Sequence, residues 1–239
     1  MGAILNILVP ILAVFIVYKL FTTLGKNGED GQNPNQRHDN RFDGTKNDDN
    51  SNVISLPTAK RNVKANAQRP DPVEVLNSAM EAESFANADE EAKQGLQKII
   101  FAHPSFDYHE FMNGAEVAYE MINLGFAQND RDILKRLLVD QVYNSFDTVM
   151  TAREAAGNRV VSRFVGYERV QLKSADVDGD MIRLNVHFVA KLVSTTYDKN
   201  DRIIEGDEKH IFNTNDVWTF ENNMSDDNTS WKLAATAKG

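Results

Sequence analysis

The sequence predicts an α+β domain in which helices come first and an antiparallel sheet follows. Apolar residues recur at helical spacing over much of residues 72–157, whereas they alternate with polar residues over 181–193. Turn-rich stretches separate the later apolar runs, which is typical of strands joined by hairpins. Because an antiparallel sheet with one apolar face needs a cover, we expect the helices to pack on a bent four-stranded sheet.

The clearest single element is a helix between Phe106 and Phe126. Asp107 is placed to cap its first turn, with Glu110 three residues later as the partner in a capping box. Phe106 and Phe111 have the spacing of a hydrophobic staple. Further apolar residues continue one stripe along this helix, which predicts that one face packs against the sheet. The stripe consists of Phe111, Ala115, Ala118, Ile122 and Phe126.

Shorter helices are predicted on both sides of this central one. A first helix begins after Asp71, and a second stops before His103, because the proline that follows His103 disfavours the helical conformation of that residue. Asp130 and Asp140 are predicted to cap two more helices, the last of which ends at Gly157. Four strands then complete the domain. They cover about residues 160–172, 181–193, 209–220 and 231–236.

Residues 3–24 predict a transmembrane anchor. They contain one charge, Lys19, and a helix needs about 20 apolar residues to cross a bilayer. No basic region precedes the run and no small-x-small cleavage site follows it, which favours an uncleaved span over a signal peptide. Lys19 and Lys26 lie at the C-terminal flank of the span and no Lys or Arg precedes it, so the positive-inside rule places the rest of the chain in the cytoplasm. The predicted anchor residues include Ile4, Leu8, Leu12, Phe15 and Leu20.

Residues 25–70 predict a disordered tether between the anchor and a domain at 71–239. They contain few apolar side chains, and these follow no periodic pattern. The segment therefore cannot bury enough apolar surface to offset the conformational entropy that ordering would cost. Two interpretations of the basic residues near the end of the tether stay open, contact with anionic lipid and ordinary linker solvation. These residues are Lys60, Arg61, Lys64 and Arg69.

Charge and composition exclude several classes of function. Residues 1–70 hold nine Lys or Arg and six Asp or Glu, whereas 71–239 hold seventeen and twenty-nine, which gives a net charge of −12 for the domain. An acidic domain is poorly suited to phosphate backbones, so no nucleic-acid partner is expected. The chain has no cysteine, which excludes disulfides, a thiolate nucleophile and a sulfur-ligated metal.

No catalytic or metal-binding grouping stands out. The five histidines lack the spacing of a helical zinc motif. The run from Asp176 to Asp180 is interpreted as a hairpin turn, because Met181 and His187 stand where a calcium loop needs Gly and Glu. We therefore expect no metal site, no catalytic residue and no cofactor.

An apolar interior is the remaining candidate site. Its aromatic residues either fill a core or line a pocket for an apolar ligand. Asp216 and His210 share strand parity with Trp218, so they are the candidates for an acid or base inside such a pocket. The pocket candidates are Tyr143, Phe146, Phe164, Phe188 and Trp218.

Several motifs together resemble the Tim-forty-four family, whose founding member is a subunit of the mitochondrial inner-membrane translocase. The resemblance covers nearly all of 71–239, and the single N-terminal span is most similar to the bacterial members called TimA. The motifs are HPSFDYHEFMNGAEVAYEMI, LGFAQNDRDILKRLL, VYNSFDTVMTAREAAGN, TNDVWTFE and SWKLAAT.

The resemblance implies a cone-like fold related to the nuclear-transport-factor-like group. It also implies a membrane-associated scaffold that recruits a chaperone or another protein partner. Three hypotheses follow: a non-enzymatic adaptor tethered to the inner face of a bacterial inner membrane, a lipid-binding module or small enzyme that uses the cone pocket, and a ribosome-docking module. The net charge of −12 disfavours the third.

Overall fold

The computed structural model describes residues 71–225 and 230–239, and in this part of the chain six helices precede five strands. The predicted α+β order is confirmed. The helices are α1 (Pro72–Met80), α2 (Glu83–Ala86), α3 (Glu90–Ala102), α4 (Tyr108–Gln128), α5 (Arg131–Leu137) and α6 (Asp140–Ala155). The strands are β1 (Arg159–Asp178), β2 (Met181–Tyr197), β3 (Ile203–Gly206), β4 (Phe212–Asn223) and β5 (Lys232–Lys238).

Three of the predicted helix caps are confirmed. The carboxylates of Asp71, Asp107 and Asp130 accept backbone amide hydrogen bonds at 2.9, 3.0 and 3.0 Å, which satisfies one unpaired N–H group in the first turn of each helix. The predicted staple before α4 also forms, since the ring centroids of Phe106 and Phe111 lie 6.2 Å apart. Local sequence signals therefore define where α1, α4 and α5 begin.

The predicted cap of α6 was wrong by one residue. Val139 occupies the N-cap position, and Asp140 is the first helical residue. The backbone N–H of Val139 donates to the carbonyl of Leu233 at 3.1 Å, which holds Val139 in an extended conformation and sets where the helix begins. Asp140 still places its negative charge in the first turn, where the helix dipole favours it.

The sheet is antiparallel throughout, with the order β1-β2-β4-β5 and with β3 also paired to β2. The predicted count of four strands was wrong. The predicted strand at 209–220 begins three residues later, at Phe212, and β3 precedes it without having been predicted; between them Gly206 adopts a φ of +78° and the Asp207 carboxylate accepts the amides of Lys209 and His210. β3 and β4 then lie along successive parts of the same edge of β2.

The first strand is longer than predicted. β1 continues past Leu172 to Asp178, and only Gly179 and Asp180 form the turn to β2. Its register against β2 shifts at three places, and bulges of this kind bend a strand. The polar residues after Leu172 were interpreted as a turn, but they continue the ladder because β2 supplies partners along its whole length.

The alternating pattern of β2 is confirmed, and it defines the inner face of the sheet, which the helices cover. Ile182, Leu184, Val186, Phe188 and Ala190 are fully buried there. α3 and α4 pack on β1, while α5 and α6 contact β5. Full burial of one such aliphatic or aromatic side chain stabilises the fold by about 1.5–3 kcal/mol, so this face is the main source of stability.

In α1 the apolar residues Val73, Leu76 and Met80 recur at helical spacing, which predicts that they share a buried face, and this is correct for Leu76 alone. Val73 and Met80 are 52% and 51% exposed, whereas Val75 packs against the core beside Leu76 and Ala79 is buried. The predicted anchor at 3–24 and tether at 25–70 lie outside the described residues. Within residues 71–225 and 230–239, none of the helices combines the length and the apolar character that crossing a bilayer requires.

Candidate functional site

A cavity of about 160 Å³ lies between the inner face of the sheet and the C-terminal parts of α4 and α6. Side chains from both helices and from all five strands contribute to its lining. A volume of this order holds a ring-sized apolar group. Its apolar walls include Ile122, Phe126, Phe146, Leu192, Phe212 and Trp218.

A polar cluster lies on the strand side of this cavity. The Tyr119 hydroxyl donates to a carboxylate oxygen of Asp216 at 2.6 Å and lies 2.8 Å from the Thr214 hydroxyl. Stacking on Phe188 and contact with Trp218, each at a centroid distance of 4.5 Å, hold the tyrosine ring in place. Asp216 and Thr214 both line the cavity, so the cluster is accessible to a bound group.

Burial controls the protonation of this cluster. It raises the pKa of Asp216 above the ordinary value of 3.8, although hydrogen bonds from Tyr119 and Thr214 oppose the shift. Burial likewise raises the pKa of Tyr119, with a further contribution from the Asp216 charge. The cluster therefore offers a protonatable carboxylate inside a largely apolar cavity, which is suited to hydrogen bonding or to proton transfer.

Arg153 forms part of the helical wall. Its guanidinium lies 5.0 Å from the Phe126 ring centroid and donates to the Phe126 carbonyl and to the side-chain oxygen of Asn129. Asn129 ends α4 in the left-handed conformation, so Arg153 stabilises that helix end. Among the described residues its buried Nε has no hydrogen-bond partner, and burial lowers its pKa.

Two further charged side chains of the sheet line the cavity. Glu205 belongs to β3, which continues along the edge of β2 beyond β4, and Lys238 belongs to β5, which pairs with the other edge of β4. Burial raises the pKa of Glu205. Within the described residues no group of three or more His, Cys, Asp or Glu side chains is arranged to hold a metal ion.

The structure separates the five aromatic residues that were proposed to line a pocket. Phe146 and Trp218 line the cavity, and Phe188 lies beneath Tyr119 in the core. Tyr143 and Phe164 are outside the lining: Tyr143 lies under the Lys135 ammonium of α5, and Phe164 packs on Tyr167 at 4.7 Å.

Of the two residues predicted as an acid or base inside the pocket, Asp216 lines the cavity and His210 does not. Asp216 lies in the cavity, as its parity with Trp218 predicted. His210 is exposed and precedes β4, so its predicted place in the strand was wrong. His210 lies in the loop between β3 and β4, so the alternation of inward and outward side chains in β4 does not include it.

Sequence analysis missed Tyr119, Thr214 and Arg153. Tyr119 lies four residues after Ala115 and three before Ile122, so the helical spacing of α4 was a usable signal. Thr214 shares strand parity with Asp216. Nothing in the spacing distinguishes Arg153, because its contacts depend on how α6 packs on the end of α4.

Comparisons with known proteins identify the family of this chain. Among solved structures, the intermembrane space region of the chloroplast protein ARC6 is similar at 11% sequence identity, with a TM-score of 0.38 over 53% of this chain and 95% of that one. No curated protein sequence matches the chain significantly. The model of the Tim44-like domain matches residues 92–238, which is more than half of the chain and includes the whole cavity lining. This chain therefore belongs to the Tim44-like family.

Proposed function

We propose that this chain is a non-enzymatic adaptor that holds a protein partner at a membrane, in protein translocation, membrane-protein assembly or chaperone recruitment. Membership of the Tim44-like family supports a membrane-associated scaffold of this kind. The predicted anchor at 3–24 and tether at 25–70 would keep the domain near the inner face of a bacterial inner membrane.

The cavity is the observation that carries the proposal. At about 160 Å³ it accommodates one apolar side chain of a partner, whereas pockets that enclose a drug-sized ligand measure about 300–1,000 Å³. Phe126, Phe146 and Trp218 provide the aromatic walls that favour such an anchor residue. Size therefore favours a partner's side chain over a whole lipid or a large substrate.

Site-specific photo-crosslinking tests the adaptor. We expect the full-length chain with p-benzoylphenylalanine in place of Phe212, at the cavity, to form a discrete protein adduct in native membranes. The matched control carries the same probe in place of Val117, which is 42% exposed on α4 and absent from the lining, and it should not form that adduct. The same pattern at both positions, or none at either, would contradict the proposal.

A second candidate function rests on Asp216. A carboxyl group with a raised pKa inside an apolar cavity has the properties of a general acid or base, as a small enzyme would require, and the same cavity could hold part of an apolar or lipid ligand. The crosslinking experiment separates the two, since an enzyme or lipid-binding module predicts no protein adduct at Phe212.

Protease protection tests the proposed location. In spheroplasts with an intact inner membrane, we expect residues 71–239 to resist external protease and to be cleaved once the membrane is opened. The reason is that Lys19 and Lys26 favour the side of the span that stays in the cytoplasm. Cleavage from outside would place the domain in the envelope and remove cytoplasmic chaperones from the candidate partners.

A further inference from the structure

The inner face of the sheet changes from apolar to polar beside the cavity. Along β2 the inward residues are apolar from Ile182 to Leu192, and the next two in the same alternation are Ser194 and Thr196. Ser162 of β1 lies directly opposite Ser194, and all three hydroxyl residues line the cavity. A strand face that becomes polar only where it meets a cavity indicates that the cavity holds a polar group of a ligand.

Two of these three hydroxyl groups are unused. Thr196 hydrogen-bonds to the carboxylate of Glu205, which also lines the cavity. The side chains of Ser162 and Ser194 have no hydrogen-bond partner among the described residues. The Cβ atoms of directly opposite residues lie about 4.5–5.5 Å apart, so both hydroxyls can donate to the same bound group.

Arg153 supplies a positive charge on the helical wall. Its Nη2 donates to the Phe126 carbonyl and to Asn129, whereas its Nε and Nη1 have no acceptor in the described part of the chain. None of the ion pairs in that part includes Arg153. Burial lowers its pKa, and the nearby charges that also act on it are those of Glu154 and Arg131. A bound anion would supply the partner that this half-buried guanidinium lacks.

The rest of the lining restricts the kind of anion. Asp216 and Glu205 also line the cavity, and they would repel a second negative charge on a ligand, such as that of a dicarboxylate or a phosphate monoester. The aromatic walls and the volume of about 160 Å³ fit one ring or a short branched chain. The complementary ligand is therefore a single carboxylate attached to an apolar body of about ring size.

We propose that the cavity binds a small free monocarboxylate, whose carboxylate accepts hydrogen bonds from Arg153, Ser162 and Ser194 and whose apolar body contacts the aromatic walls. The bound acid occupies the space that a partner's side chain needs, so it releases the partner. This regulatory role rests on the proposed adaptor function, whereas the binding of the acid does not.

Isothermal titration of the full-length chain in lipid nanodiscs tests the binding, with empty nanodiscs as the blank. The probes are benzoate, phenylacetate and 3-phenylpropanoate, which differ in the distance from ring to carboxylate, and each is compared with its neutral amide. At about pH 7 we expect the best acid to bind at least about tenfold more tightly than its amide, because only the acid is a charged acceptor. Absence of binding by all three acids, or equal binding of acid and amide, overturns the proposal.

Arg153→Gln tests the assigned charge, because glutamine keeps hydrogen-bonding groups at the end of α4 and removes the guanidinium. We expect this variant to bind the best acid at least about tenfold more weakly. The matched control is Arg136→Gln, which makes the same charge change at an exposed position of α5 outside the lining and should bind like the native chain. Equal affinity in the two variants overturns the proposal.

The double variant Ser162→Ala/Ser194→Ala leaves the charge and the end of α4 unchanged, so it keeps the test decisive if Arg153→Gln does not fold. We expect the best acid to bind at least about fivefold more weakly, because two hydrogen bonds are lost. Ser145→Ala is the matched control, since the Ser145 hydroxyl donates to the Gln141 carbonyl outside the lining and its loss should not affect binding. Native affinity in the double variant overturns the proposal.

The ligand and the adaptor fail separately. Binding of an acid without any protein adduct at Phe212 would support the ligand site and contradict the adaptor, and an adduct without binding of any acid would do the reverse. If both occur, a saturating concentration of the acid should suppress the adduct, and an undiminished adduct would overturn the regulatory role. An adduct that requires Arg153 while no free acid binds would assign the carboxylate to the partner and overturn the proposal of a free ligand.

Discussion

Replacement of Gly95 by alanine is expected to lower the free energy of unfolding by about 3 kcal/mol and the melting temperature by about 6–12 °C. The reason is the close approach of α3 to β1. A Cβ atom built at Gly95 would lie 1.9 Å from the Ala175 carbonyl oxygen and 2.8 Å from its carbon. Both are backbone atoms in a paired strand, so the added methyl group must push the helix off the sheet.

Gly125→Ala is the matched control, because it makes the same change in another helix of the domain. A Cβ atom there meets only the side chains of Ile133 and Leu134, at 3.5 Å or more, which is ordinary contact. Alanine is a better helix former than glycine, so we expect Gly125→Ala to be neutral or stabilising by up to about 1 kcal/mol.

Urea denaturation of the full-length chain in detergent measures both variants. If Gly95→Ala lowers the free energy of unfolding and Gly125→Ala does not, the loss is due to the contact between α3 and β1. Similar stability in the two variants would contradict the proposed contact. The effect should not change with pH, since no titratable group lies among the three closest atoms to that Cβ position.

The parts of the fold that the sequence predicted are those determined by neighbouring residues. The carboxylates of Asp107 and Asp130 cap the helices that follow them directly, so each signal lies within three residues of its effect. The alternation in β2 extends from Ile182 to Leu192 because one face of that part of the strand is buried. Such features can be predicted from a short stretch of sequence without information about the rest of the fold.

The errors depend on contacts between distant parts of the chain. Val139 takes the cap position before Asp140 because it bonds to Leu233, ninety-four residues later in the sequence. The division between β3 and β4 includes Gly206, where a Cβ atom would lie 2.1 Å from the Ser194 carbonyl oxygen. Neither contact leaves a periodic pattern that could be read before the fold is known.

The candidate site shows the same division. Strand parity correctly placed Asp216 beside Trp218, because β4 is regular between them. The same argument failed for His210, which lies two residues before the start of β4. The partner of Asp216 is Tyr119 on α4, and only the packing of α4 on the sheet brings these two residues together.

Tyr119→Phe is expected to lower the free energy of unfolding by about 2 kcal/mol at about pH 8, because it removes a hydrogen bond to a buried charged group. The Tyr119 hydroxyl donates to a carboxylate oxygen of Asp216 at 2.6 Å. Phenylalanine preserves the ring stacking on Phe188, so packing should change little.

The loss should depend on pH, and its sign follows from Asp216. Burial holds the pKa of Asp216 above 3.8 in the folded state, so the folded protein binds this proton more tightly than the unfolded chain does. The associated stability is complete below 3.8 and is lost as pH rises through the folded-state value. Because the Tyr119 hydrogen bond lowers that value, its removal raises the folded-state pKa further and makes the loss at high pH larger.

Asp216→Asn separates charge from hydrogen bonding, since its amide oxygen still accepts from Tyr119. We expect this variant to lose the pH dependence due to this site and to exceed the native chain in stability by on the order of 1 kcal/mol at about pH 8. In that background Tyr119→Phe should cost the same at about pH 5 and about pH 8, whereas with Asp216 present it should cost more at the higher pH. Denaturation of all four proteins at both pH values makes the measurement. If the cost of Tyr119→Phe is independent of pH with Asp216 in place, the carboxylate is not the group that the tyrosine stabilises.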